Sequence, residues 1–148
     1  MSTTPDPLLK QLLRYVMSDE ARHVAFGVLS LKEYYAELTD AEMLERQEFA
    51  FEAAVRMRDR LLMQEVLHRM GIDVKAAVQM ALQDEGRQMF QAMLFSKIVP
   101  NCKKLGLLDA GDGWLREKFT EIGVIDFEHA VDTEMEYELL DAESAAVA

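Results

Sequence analysis

The sequence predicts an all-α protein in which a long antiparallel helical hairpin is followed by shorter C-terminal helices. Three observations carry that prediction. Apolar residues recur at three- and four-residue spacing over most of the chain, and no segment sustains strand-like alternation. Gly (7) and Pro (3) are scarce enough to leave long stretches without a helix breaker. Helix-start signals recur at the points where those stretches begin.

The first helix is expected from Pro7, which suits a first turn, with Asp6 as its cap. From Leu8 to Leu38 only Gly27 interrupts good helix formers. Thr39-Asp40-Ala41-Glu42 reads as a capping box, in which Thr39 holds an early amide and Glu42 reaches back. A second helix follows from about Asp40 to Met70, closed by Gly71. Each of the two helices would be roughly 45 Å long at 1.5 Å per residue. With so short a connection they must fold back on each other as a hairpin. Asp73 can cap a third helix to about Glu85, with Gly86 ending or bending it before the pattern resumes to about Val99. Pro100 is expected to limit further helix. Residues 101–111 read as turn, and a short helix runs from about Asp112 to Glu121.

Composition bounds the function. The 148 residues suit one domain with a real core. The formal charge of −11 argues against nucleic acid as a partner. No apolar run is long enough to cross a membrane. The single cysteine, Cys102, excludes an internal disulfide and fits a reducing compartment. No basic segment followed by an apolar run opens the chain, so a cytoplasmic location is expected. Acidic groups concentrate at the end: residues 124–148 hold eight Asp or Glu and no Lys or Arg. The expected organisation is therefore a helical domain over residues 1–123 and a solvated acidic tail over 124–148.

Chemistry gathers on the first helix. Leu9, Leu13, Val16, Val24, Gly27 and Leu31 follow helical spacing and are expected to form one buried stripe. Glu20 and His23 lie on the same stripe, three residues apart. Burying them without a partner costs several kcal/mol. A metal ion would compensate, and so would a Glu–His pair in a bundle core. Carboxylate and imidazole donors suit iron, manganese or zinc.

The run from Leu12 to Gly27, containing Asp19-Glu20-Ala21-Arg22-His23, resembles the Asp-Glu-x-Arg-His motif of ferritin-like di-iron carboxylate proteins. Phrases such as Arg22–Gly27 and Leu94–Pro100 extend the resemblance over Asp6 to Leu108, to the C-terminal portion of larger bacterial ferritin-like proteins. The resemblance implies that Glu20 and His23 are iron ligands and that Asp19 and Arg22 orient them from behind. It implies a ferritin-like half-bundle, because this helix corresponds to the fourth of the family's bundle and the first three are missing. It also implies an iron-binding protein or fragment related to di-iron oxidoreductases.

A complete di-iron site needs two Glu-x-x-His arms and two further carboxylates. Glu65-Val66-Leu67-His68 is a second literal match, but it falls roughly 15 Å out of register along a hairpin turning near residue 39. It is read as a helix end, with His68 favoured by the dipole. Glu52 stands level with Glu20 but belongs to a polar face with Arg56. His129 has no pattern around it, and Lys103-Lys104 would lower the Cys102 pKa. The ten methionines and Trp114 read as packing residues.

Two functions remain open. One is a metal-binding, ferritin-like module, of which this chain alone is not expected to activate oxygen. The other is a non-catalytic helical oligomerisation module that has lost a complete metal site. Both require a partner to cover the surface of the missing helices: a second copy, giving a homodimer, or another chain.

Overall fold

A computed structural model describes residues 4–60, 62–133, 135 and 138. Among them every regular element is helical, with no strand. Six α-helices follow in order: α1 (Pro7–Tyr35), α2 (Asp40–Arg60), α3 (Gln64–Arg69), α4 (Val74–Gln83), α5 (Glu85–Lys104) and α6 (Trp114–Glu121). A 3₁₀ helix, Ile125–His129, completes them. No helix among the described residues is long and apolar enough to cross a membrane.

The helix starts form where the capping residues stand. The Asp6 carboxylate accepts from the Leu9 amide at 2.9 Å, with Pro7 in the first turn. At α2 the box closes: the Thr39 amide donates to Glu42 Oε2 at 2.9 Å and the Glu42 amide donates to Thr39 Oγ1 at 3.4 Å. The Thr39 hydroxyl donates to the same carboxylate at 2.6 Å, and these bonds hold the Glu42 pKa below its usual value. Asp73 caps α4 through the Ala76 amide. After α3, Gly71 takes a φ of 73°, and the Ile72 amide returns to the Leu67 carbonyl.

Three expected boundaries are corrected. The second long helix does not reach Met70. It stops at Arg60, Leu62 turns inward, and Met63 adopts a left-handed φ of 45° before α3 begins. The α4–α5 break falls at Asp84 rather than Gly86, because the Asp84 carboxylate caps the next helix through the Arg87 amide at 2.8 Å. Pro100 does not end α5, which continues to Lys104. A proline inside a helix costs about 3 kcal/mol. Phe95 and Val99, both fully buried on the same helix, recover roughly 1.5–3 kcal/mol each by burial.

The core lies between α2, α5 and α6. Phe95, Val99 and Cys102 of α5 pack with Leu107 and Leu108 of the following turn, Leu115 and Phe119 of α6, Val124, and Ala54 of α2. Phe119 meets Phe95 edge-on at 6.2 Å, and Phe51 meets Trp114 edge-on at 5.8 Å.

The acidic segment after Val124 is not a solvated tail over its described part. The 3₁₀ helix packs on α5 and α6. Basic residues at the α5 C-terminus and on α6 draw it down: Arg116 and Lys103 pair with Glu128 at 3.0 and 3.3 Å, and Lys104 with Asp132 at 3.3 Å. Thr133 is buried. Residues 134, 136, 137 and 139–148, where the rest of the expected tail falls, lie outside the described residues.

The expected buried stripe of α1 is rotated. Ala21, Ala25 and Val28 are the buried residues, each one position beyond the expected set, and they face α5. Leu9, Leu13, Val16, Val24 and Leu31 form a half-exposed flank instead. The expected hairpin seam between α1 and α2 is replaced by an open groove that both helices line.

Candidate assembly face and apolar groove

Glu20 and His23 follow the rotation of α1. Both project from the half-exposed flank, with His23 Nδ1 4.0 Å from Glu20 Oε2. Their side chains are 72% and 75% exposed, so neither points into a core of this chain. Asp19 and Arg22 are also exposed and pair with each other at 3.0 Å rather than with His23. No group of three or more His, Cys, Asp or Glu that could hold a metal occurs among the described residues. The described donors around Glu20 and His23 therefore do not by themselves make up a di-iron ligand set.

The other sequence candidates resolve as surface pairs. Glu52 holds Arg56, and Glu65 holds Arg69, each one helical turn away. His129 lies 3.5 Å from Glu128 and is exposed. The Cys102 thiol is not activated by its lysine neighbours. Lys103 and Lys104 turn outward to Glu128 and Asp132. Cys102 is buried on the other side of α5, and burial pushes its pKa up to about 12.

Two surface features stand out. The first is the outer face of α1, where Leu8, Leu12, Tyr15 and Phe26 are 75%, 56%, 56% and 73% exposed. These apolar residues share one solvent-facing side of α1. The second is the groove, of about 670 Å³. Val16, Met17, Ala21, Val24 and Val28 of α1 form one wall, and Ala50, Ala53, Ala54 and Met57 of α2 the other. Leu94, Ile98 and Leu105 form the floor. Its few polar residues include Glu20 at the α1 wall and, on the α5 side, Asn101 with Thr133.

The Asn101–Thr133 pair was not legible in the sequence, because 32 residues separate its members. Asn101 Nδ2 donates to the Lys97 carbonyl at 2.8 Å and to Thr133 Oγ1 at 2.6 Å. The Asn101 Oδ1 is buried and accepts no hydrogen bond.

Comparison with family models, curated proteins and solved structures finds no match. The fold and these surfaces define an all-helical protein with a compact C-terminal core and an apolar N-terminal helix laid on it.

Proposed function

We propose that the chain is a helical assembly module that pairs with a second copy of itself through the outer face of α1. The carrying observation is the order of residues on that face. An antiparallel pairing about a twofold axis between Glu20 and Ala21 sets Leu12 against Leu29 of the partner subunit and Tyr15 against Phe26 of the partner subunit. It sets Asp19 against Arg22 of the partner subunit, and the reverse. All six side chains are exposed in the single chain. The face is thus complementary to itself in charge as well as in apolar character.

Charge reversal tests the pairing. Arg22→Asp places acidic residues against acidic residues at the axis, and light scattering should report a monomer where the wild type is a dimer. Asp19→Arg combined with Arg22→Asp should restore the dimer. A wild-type particle of 16.9 kDa at micromolar concentration would overturn the reading.

The ferritin-like, iron-binding role is the second reading. It is favoured by the position of Glu20 and His23 beside the proposed seam, where pairing brings two carboxylates and two imidazoles into one assembly. Iron should then bind the dimer and not the Arg22→Asp monomer. Glu20→Ala or His23→Ala should abolish binding, while Glu65→Ala and His68→Ala leave it intact. A dimer that takes up no iron would remove this reading and leave the assembly role standing.

A further inference from the structure

Thr133 brings the acidic segment into the groove. It lines the α5 side beside Asn101 and is buried. Three contacts trace the approach. Glu128 pairs with Lys103 and Asp132 with Lys104, both at 3.3 Å, at the C-terminal end of α5. Thr133 Oγ1 then accepts from Asn101 Nδ2 at 2.6 Å, about one turn back along α5. The next turn back carries Lys97, and beyond it stands Leu94, both in the lining of the groove. A helix starts at this point. The Asp132 carboxylate accepts from the Met135 amide at 3.0 Å, the bond of an N-cap, and residues 133, 135 and 138 are helical. Thr133 is covered, whereas Met135 and Glu138 are exposed, so this helix has one covered and one open side. In the sequence Tyr137, Leu140 and Val147 follow Thr133 by four, seven and fourteen residues, the helical spacing of the covered side.

We propose that the chain closes its own groove with residues 134–148: the helix that starts at Thr133 continues across the opening and seats Tyr137, Leu140 and Val147 between the α1 and α2 walls. The lengths agree. A helix from Thr133 to Val147 extends about 21 Å, and the α1 wall from Val16 to Val28 extends about 18 Å. The chemistry agrees as well. The groove is walled by aliphatic side chains, with Glu20 and Lys97 as its charged members. The segment brings apolar residues at matching spacing, and its acidic residues come with no Lys or Arg, which suits the passage beside Lys97. Connection decides between this occupant and any other. A segment fixed at Thr133 meets the groove at an effective concentration on the order of millimolar, which a free ligand or a second chain must exceed. The outer face of α1 takes no part, so the pairing proposed above stands or falls separately.

The test uses the full chain and two readouts. The apolar fluorescent reporter N-phenyl-naphthylamine reads an open groove, and chymotrypsin cleavage after Tyr137 reads a released segment. Leu140→Asp should raise both the reporter affinity and the cleavage rate about ten-fold, the effect of withdrawing one buried leucine. Met135→Asp, on the exposed side of the same helix, should change neither. Ala53→Phe, which fills the groove from the α2 wall, should speed cleavage while the reporter stays unbound. A synthetic peptide of residues 133–148 should displace the reporter from the Leu140→Asp protein, and the same peptide carrying Leu140→Asp should not. Equal reporter binding and cleavage in the wild type and Leu140→Asp would overturn the proposal, as would an equal response to Met135→Asp. A reporter that stays bound in the presence of the wild-type peptide would also overturn it. A fall in particle mass on Leu140→Asp would show that the segment fills the groove of a second copy and that closure within one chain is wrong.

Discussion

Gln47 of α2 donates its side-chain amide to the carbonyl of Leu107 at 2.7 Å, across sixty residues of sequence. The same nitrogen reaches the Ala110 carbonyl at 3.2 Å. Gln47 is 2% exposed, so its bonds are made inside the protein. The Ala110 carbonyl also accepts from the Gly113 amide at 3.1 Å, and Gln47 ties the turn after α5 to α2. Leu107 and Leu108, which the turn delivers to the core, depend on this anchor.

Gln47→Leu should therefore cost about 1–3 kcal/mol, because it keeps the volume and strands a buried carbonyl. Urea unfolding followed by circular dichroism measures it. An unchanged midpoint would show that the amide is dispensable.

Arg116 sets a pH dependence. It donates to both oxygens of Glu128 and also to Asp109. These bonds raise the Arg116 pKa further and hold Glu128 at about 2, with Arg116 the largest cause and Lys103 a lesser one. The folded pKa lies below the ordinary carboxylate value of about 4.3. The stabilisation is thus present in full above that value and is lost as pH falls through it toward about 2. Arg116→Met should lower stability at neutral pH and flatten the acid limb of the stability profile. An acid limb of unchanged slope would disprove the assignment.

Cys102 should be inert in the folded protein. Cys102 is only 6% exposed, at the lining of the groove, and burial disfavours its thiolate. A disulfide reagent such as dithiobis-nitrobenzoate should label it at neutral pH only as the chain unfolds, at a rate that rises with denaturant. Prompt stoichiometric labelling of the native protein would contradict the packing around α5.

The legible parts of the fold are those decided within a few residues. The caps at Asp6, Thr39–Glu42 and Asp73 form because a short side chain beside free amides needs no distant partner. The α6 helix, expected from about Asp112, starts at Trp114 after Gly113 at a φ of 77°, whereas the turn expected over 101–111 begins only after Lys104. The lower half of the second helix was not legible. Leu61-Leu62-Met63 carries no breaker in the sequence, yet α2 ends at Arg60, Leu62 is buried and Met63 takes a left-handed conformation. Helix propensity is a weak preference that burial readily overrides. Pro100 misleads in the opposite direction, since a buried neighbourhood holds α5 together across a residue that breaks isolated helices.

For the candidate site the division is sharper. The sequence by itself determined that the chain is helical, where most helices begin, and that α1 carries a Glu–His pair amid apolar residues. Periodicity gives the spacing of a face but not the direction in which that face turns. A rotation of about one residue on α1 buries Ala21, Ala25 and Val28 and leaves Glu20 and His23 in solvent. Only the tertiary structure decided this, because the direction depends on which side of α1 the rest of the chain covers. It likewise brought the acidic segment onto Lys103, Lys104 and Arg116 and joined Asn101 to Thr133 at the groove. These are encounters between residues far apart in the chain, and no local pattern encodes which distant partner a charge or an amide will meet.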